Sequence, residues 1–361
     1  MRRIDMKKRI LALIMITLSL SLTACNNSNG ETSSVYEISL GSDYDDSNEK
    51  SLSFFAMDTY MNFKAYGENA KAAVNEASTI VEDLENKLSV TNPESEISKI
   101  NSSANNAIKI SEDTLTLILT ALDVNKKSDG AFDITIYPIV KLWGFTTGKY
   151  KVPSREELSK NLEYVDSSKI MLDEKASTVA IPKNIEIDLG GIAKGYAGKK
   201  AADKIRSMGI ESALLNLGGN IQTIGSKPDG SAWGVSICNP EDSSKQLCRI
   251  EVVDKAVVTS GGYQRYFEEN GKSYHHIIDP KSGYPAENGL VSVTIVDEDG
   301  MLCDALSTTL FVLGKDKALE YCEKYGIEAI LITDDKKIYV TDELKESFSI
   351  IDQSSGYSLA K

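Results

Sequence analysis

Asp188-Leu189-Gly190-Gly191-Ile192-Ala193-Lys194-Gly195-Tyr196-Ala197 decides how the rest of this chain is read. Just before and into it, Ile185, Ile187 and Leu189 alternate with Glu186 and Asp188, as in a short strand with one buried face. Two glycines follow. Ile192 to Met208 then has the pattern of an amphipathic helix, with Ile192, Tyr196, Ala202, Ile205 and Met208 near one face and Gly209 as its stop. A strand, a glycine turn and a helix start form an anion site, because glycine lets the backbone approach a ligand and the free N–H groups point at negative charge. Lys194, in the first turn, adds a cation. The spacing matches neither the Walker pattern nor the dinucleotide fingerprint, and by itself it also fits an ordinary strand-to-helix connection.

The chain has 361 residues, enough for one large domain or two smaller ones. A hydrophobic share of 41% and a charged share of 26% are those of a folded globule. The formal net charge is -13. Residues 1–24 carry five basic groups and one acidic group, so without them the balance falls to -17. Such a surface repels nucleic acid, and an anionic substrate needs local compensation from a metal, a helix N-terminus or a lysine.

The N-terminal segment stands apart from the fold. Arg2, Arg3, Lys7, Lys8 and Arg9 precede an apolar run, Ile10 to Leu22, that is too short for a comfortable membrane span. Leu22-Thr23-Ala24-Cys25 then has the form of a lipobox. The expectation is a lipoprotein signal peptide over 1–24, lipid attached to Cys25, a flexible tether over 25–50 rich in Ser, Asn, Asp and Glu, and a folded domain over 51–361. This predicts a protein anchored to the cell membrane on its extracytoplasmic side. Four further cysteines, Cys238, Cys248, Cys303 and Cys322, form no CxxC pair; Cys238 and Cys248 either pair or stay as buried thiols.

Along the domain, residues 51–63 read as a strand, and Asn69 to Leu88 and Ser111 to Lys127 as amphipathic helices, the second capped by Ser111. Pro93 and residues 101–106 mark loops. Trp143 and Phe145 are either one wall of an aromatic-binding pocket or core. A short helix starts after Ser154, and strands are expected near 169–172 and 178–181. Later segments alternate in strand fashion at 213–217, 233–237, 248–253 and 290–296. Helices follow over 302–314 and 316–325, then a hairpin around Asp334-Asp335. Short paired strands with dispersed helices predict an α+β fold of mixed sheets with flanking helices.

Asp304, Ser307 and Thr308 fall at i, i+3 and i+4 and share one helical face. A carboxylate and hydroxyls are hard oxygen donors suited to Mg²⁺, which keeps positions open for substrate phosphates; the same residues also suit an N-cap with small packing neighbours. The only two histidines, His275 and His276, are adjacent, so in a strand only one faces a given site as a general base.

Eight segments occur in order: Met57-Asp58-Thr59, Gly130-Ala131-Phe132-Asp133, Leu142-Trp143-Gly144-Phe145, the 188–197 stretch, Asn216-Leu217-Gly218-Gly219-Asn220, Thr259-Ser260-Gly261, His276-Ile277-Ile278-Asp279-Pro280 and Asp304-Ala305-Leu306-Ser307-Thr308. Together, over roughly residues 51–345, they resemble the ApbE family of FAD:protein FMN transferases. The resemblance implies an FAD cleft between two subregions and Mg²⁺-dependent cleavage of FAD. FMN passes to a Ser or Thr hydroxyl of an extracytoplasmic acceptor flavoprotein, and AMP leaves. By the same resemblance, Met57, Thr91, Ala131, Phe132, Asp133, Asp188, Lys194 and Ile278 contact FAD. Gly191 (through its carbonyl), Asp304, Ser307 and Thr308 hold the metal, and His276 is the base. Two departures stand out. Asp58 replaces the glycine of the family's Met-Gly-Thr, and Val90-Thr91 follows Leu88-Ser89 where many members have a flavin-lining Tyr. Two other outcomes share this pocket: an Mg²⁺-dependent FAD pyrophosphatase with water as nucleophile, and a flavin-binding lipoprotein without chemistry. No acceptor-type Asp-x-x-(Ser/Thr)-Gly-Ala-(Ser/Thr) segment is evident in the chain, which makes it the donor enzyme and not its own client.

Overall fold

The computed structural model describes residues 48–360, so the signal peptide, Cys25 and nearly all of the tether lie outside the described residues. The described part opens with a hairpin. β1 (Glu49–Ala56) and β2 (Thr59–Tyr66) pair from Glu49↔Tyr66 to Ala56↔Thr59, leaving Met57 and Asp58 as a two-residue loop. Both have positive φ, 49° and 59°, the pattern of a type I′ turn whose twist matches that of the flanking strands. The first strand starts at Glu49, two residues before the expected domain boundary, because Glu49 and Lys50 already have partners in Tyr66 and Ala65.

α1 (Ala70–Leu88) buries Ala73, Val74, Ala77, Val81, Leu84 and Leu88, the helical stripe evident in its sequence. α2 (Glu96–Asn101) was not expected; Ser95 caps it by accepting from the Ser98 N–H, and its last residue falls where a loop was read. β3 (Ile108–Lys109) leads to α3 (Glu112–Lys127), whose cap is Ser111 as expected. α4 (Tyr137–Trp143) and α5 (Arg155–Leu162) follow, the latter with a full capping box between Ser154 and Glu157. β4 (Met171–Asp173) and β5 (Thr178–Ala180) join β3 in a small sheet. After the glycine turn come α6 (Ala193–Ser207), β6 (Ser212–Leu217), β7 (Asn220–Ile224), β8 (Trp233–Asn239), β9 (Asp242–Val252) and β10 (Ala256–Gly261). The hairpin of β11 (Tyr266–Glu269) and β12 (Lys272–His275) precedes β13 (Leu290–Asp297), α7 (Gly300–Leu313) and α8 (Lys315–Tyr325). β14 (Glu328–Thr333) and β15 (Lys337–Val340) make the expected antiparallel hairpin, and β16 (Phe348–Ile350) and β17 (Ser358–Leu359) complete the sheets.

Nine strands form the main sheet in the order β1-β2-β6-β7-β10-β13-β14-β15-β17. Every pairing in it is antiparallel except β15 with β17. Alternate residues of its central strands serve two cores, as the two-residue period of a strand requires. Ala213, Leu215, Leu217, Val293, Ile295, Ala329 and Leu331 join the core under α1, α6 and α7, while Leu214, Val296, Ile330 and Ile332 join a second core under the sheet β16-β9-β8. The result is the α+β arrangement of mixed sheets with flanking helices that the sequence implied. A third, smaller core gathers Ile139, Trp143, Phe145, Leu158 and Ile278. Trp143 and Phe145 are fully buried there, and the Trp143 Nε1–H donates to the Gly283 carbonyl at 2.7 Å, so of the two readings for this pair the core one holds. Cys238 and Cys248 are free and buried, and burial pushes the Cys238 thiol up to about 11.

Candidate active site

The segment 185–189 forms no strand. Its ladder is replaced by a side chain: the Asn101 Nδ2–H donates to the Ile187 carbonyl at 2.9 Å, and the Ile187 N–H donates to Asn101 Oδ1 at 2.8 Å. The Asp188 N–H goes to the Ile134 carbonyl at 2.8 Å. The alternation in sequence was real, since Ile185, Ile187 and Leu189 are buried, but the hydrogen bonds come from an amide and a loop. The turn is closed by Asp188, whose Oδ1 accepts from the Gly190 N–H at 2.8 Å. Burial raises the Asp188 carboxyl above its ordinary range, against that hydrogen bond and the positive charges of Lys194 and Arg265.

α6 begins at Ala193, with Lys194 second, and ends before Gly209 at φ 79°. Its third residue, Gly195, is where α6 crosses α7. A Cβ there would lie 2.0 Å from the Gly300 carbonyl oxygen and 2.6 Å from Asp304 Cβ, so only glycine permits the approach. The Gly195 N–H donates to Asp304 Oδ2 at 2.8 Å, a first-turn amide meeting a carboxylate. Asp304 therefore caps nothing on its own helix, whose N-cap is Asp299, and presents its charge to the start of the other. One turn further along, Thr308 faces Gly191: a Cβ at Gly191 would lie 4.0 Å from Thr308 Oγ1 and 3.0 Å from Phe132 Cε2. Phe132, Gly191, Asp304 and Thr308 are thus neighbours.

Ser307 is fully buried, and its hydroxyl donates to the Asp304 carbonyl at 2.9 Å. Ser260, at the end of β10, lies 2.8 Å from Ser307 Oγ and 3.3 Å from Thr308 Oγ1. Among the described residues no three of His, Cys, Asp and Glu gather as metal ligands. One carboxylate with a hydroxyl and a nearby backbone turn is instead a sparse oxygen set, of the kind Mg²⁺ accepts when phosphate oxygens and water fill its remaining positions.

The two histidines diverge as neighbours at a strand end must. His275 packs edge-on against Phe311, ring centroids 5.4 Å apart, and its Nδ1 accepts from the Ile277 N–H. His276 sends both its N–H and its Nδ1–H to the Arg265 carbonyl, each at 3.1 Å. A carbonyl only accepts, so Nδ1 carries the proton and Nε2 keeps a lone pair. Burial, with the nearby charges of Arg265 and Lys194, pushes the His276 imidazolium down to about 3, so the ring is neutral at physiological pH.

The remaining candidates differ in their surroundings. Asp133 is fully engaged inside the chain, accepting from the Thr135 N–H and Oγ1–H, the Ser167 N–H and Oγ–H, and the Asn125 Nδ2–H. Ala131 is buried beside Phe132, and Ile278 sits in the third core bridging Pro285. Met57 is in the hairpin turn, packed against the main core, and the left-handed backbone at Asp58 is one that Asp tolerates where glycine is usual. Thr91 is exposed after α1 and bonded to Ser89. In sequence, Ser260 stands out only as part of Thr259-Ser260-Gly261, with no role of its own, and Arg265 not at all. Their positions matter only once β10 packs against α7 and the Arg265 carbonyl meets His276.

Fold and site together define a class: an α+β protein in which a glycine turn, a helix start, one carboxylate with hydroxyls and a neutral imidazole lie close, the groups suited to a diphosphate. The chain belongs to the ApbE family, whose model matches residues 57–331. It is 34% identical over 350 residues to an FAD:protein FMN transferase of Haemophilus influenzae, covering 93% of this chain and 96% of that one. It is 32% identical to the enzyme of the same name from Treponema pallidum, covering 78% and 82%. Among solved structures, the ApbE protein of Thermotoga maritima matches with a TM-score of 0.78 at 33% identity, covering 83% of this chain and 99% of that one. The flavin transferase ApbE of Vibrio cholerae matches with a TM-score of 0.72 at 30% identity, covering 84% and 96%.

Proposed function

We propose that this protein is an FAD:protein FMN transferase that works with Mg²⁺ and modifies extracytoplasmic flavoproteins. The observation that carries the reading is the convergence of Gly191, Asp304 and Thr308 at the crossing of α6 and α7. Full-length similarity to named transferases supports it. A bound Mg²⁺ would supply positive charge to the pyrophosphate, and Gly191, Asp304 and Thr308 would hold it, while the fully buried Ser307, its proton given to the Asp304 carbonyl, is left out of the set. The start of α6, Lys194 and Arg265 offset substrate charge in a protein of net charge -13. His276 Nε2 takes the proton from the acceptor Ser or Thr hydroxyl. That oxygen forms a bond to the FMN-side phosphorus, the bond from this phosphorus to the bridging oxygen breaks, and AMP leaves with that oxygen. The Arg265 carbonyl fixes the tautomer that leaves Nε2 available.

The test mixes the protein with FAD, Mg²⁺ and a candidate acceptor domain. The expected result is AMP together with an acceptor whose mass rises by one FMN unit. Free FMN with an unmodified acceptor supports the pyrophosphatase instead, and FAD retained without AMP supports a binding protein. Membrane anchoring through Cys25 rests on Leu22-Thr23-Ala24-Cys25, outside the described residues. Labelled palmitate should enter the wild type and not Cys25→Ser; equal labelling excludes Cys25 as the site.

A further inference from the structure

We infer that Ser260 is a positioning residue that sets the direction of the Thr308 hydroxyl, leaving its lone pairs for a divalent cation. The inference rests on the metal-dependent reading above. It follows from counting protons. Three consecutive hydroxyls lie on α7, at Ser307, Thr308 and Thr309. Ser307 and Thr309 return their protons to carbonyls of their own helix, Asp304 at 2.9 Å and Ala305 at 2.7 Å. Thr308 is bonded instead to Ser260, on a different element.

A hydroxyl has one proton and two lone pairs. Because Ser307 gives its proton to the Asp304 carbonyl, it can only accept from Ser260, 2.8 Å away. The Ser260 proton is thereby fixed on Ser307, so in the 3.3 Å contact Thr308 is the donor. The chain of donation runs from Thr308 through Ser260 and Ser307 to the Asp304 backbone. Its effect is to hold the Thr308 proton toward β10 and leave its lone pairs unspent, on an oxygen that an ideal Cβ at Gly191 would approach to 4.0 Å. Thr308 is also less buried than Ser307 and Thr309, which are fully enclosed. A hydroxyl with its proton held elsewhere presents lone pairs to a cation, whereas one free to rotate must first be reoriented. Such outer partners commonly change metal affinity by about 10- to 100-fold.

The test compares wild type, Ser260→Ala and Ser260→Thr, with Thr259→Val as a control. Thr259 is the preceding residue of the strand and bonds to Thr294 of β13. Two quantities are read: binding of Mn²⁺ to the FAD-free protein by electron paramagnetic resonance, and the Mg²⁺ concentration giving half-maximal AMP release. Ser260→Ala should weaken both by about tenfold or more. Its KM for FAD at saturating Mg²⁺ should stay within about twofold, and Ser260→Thr and Thr259→Val should stay near wild type. Unchanged metal dependence in Ser260→Ala overturns the inference, as does equal loss in Ser260→Ala and Ser260→Thr, which marks a packing defect. A wild-type protein that neither binds Mn²⁺ nor needs Mg²⁺ defeats the metal-dependent reading itself, a result distinct from failure of the Ser260 role alone.

Discussion

Asp304 does two things that ordinary substitution would confuse. Its Oδ2 accepts the Gly195 N–H, and its charge is the only carboxylate in the proposed oxygen set. Asp304→Asn keeps an oxygen acceptor for Gly195 and removes the charge, while Asp304→Ala leaves that first-turn amide unpaired, at a cost of about 1–3 kcal/mol. Both variants should lose AMP formation, and only Asp304→Ala should lose that much stability in urea unfolding. An active Asp304→Asn contradicts the metal role. His276 allows a pH test. Its folded value of about 3 lies below the ordinary 6.5, so between these the unfolded chain binds more protons than the native one. Stability on this account falls as pH drops from about 6.5 toward 3, and that part of the slope disappears in His276→Gln. The groups setting the shift are buried surroundings first, then Arg265, His275 and Lys194. Urea midpoints at pH 7 and pH 5 for both proteins check it; identical pH dependence removes the claim that His276 is held neutral.

At the scale of elements, the crossing of α6 and α7 places the site. Gly195→Ala puts a methyl group 2.0 Å from the Gly300 carbonyl oxygen and must push the helices apart. Overpacking of this kind costs about 1–3 kcal/mol, occasionally more, and the same shift should remove AMP formation. A fully active, equally stable Gly195→Ala shows that the helices do not touch there. Asn101→Ala should loosen the turn before α6 by removing both bonds to Ile187, seen as faster amide exchange over residues 185–191 with α1 unaffected. These elements were legible in sequence to different degrees. The helical stripe of Ala73, Val81, Leu84 and Leu88 and the Ser111 cap are local signals and appear where expected. The 185–189 segment has strand periodicity yet finds its partner in Asn101, 86 residues away, which no local pattern records. α2 and the hairpin of β11 and β12 are short, six residues and four residues per strand, too few for a periodic pattern to mark them.

For the whole molecule, the eight ordered segments are enough to place the family, whereas the roles of Ser260 and Arg265 come only from long-range packing. The two cores on either face of the nine-stranded sheet lie within the described residues, so a chain beginning at residue 48 should fold and transfer FMN in solution. Loss of cooperative unfolding in that fragment means the preceding segment is part of the fold. The central claim is that the glycine turn and α7 meet around one divalent ion. The most direct measurement is anomalous diffraction from crystals soaked with Mn²⁺ and ADP, which carries a pyrophosphate but no flavin. The account predicts a single strong peak within coordination distance, about 2.0–2.3 Å, of the Gly191 carbonyl, the Asp304 carboxylate and Thr308 Oγ1, with the ADP phosphates completing the shell. A peak held by other residues, or ADP bound with no ion at the α6–α7 crossing, contradicts it.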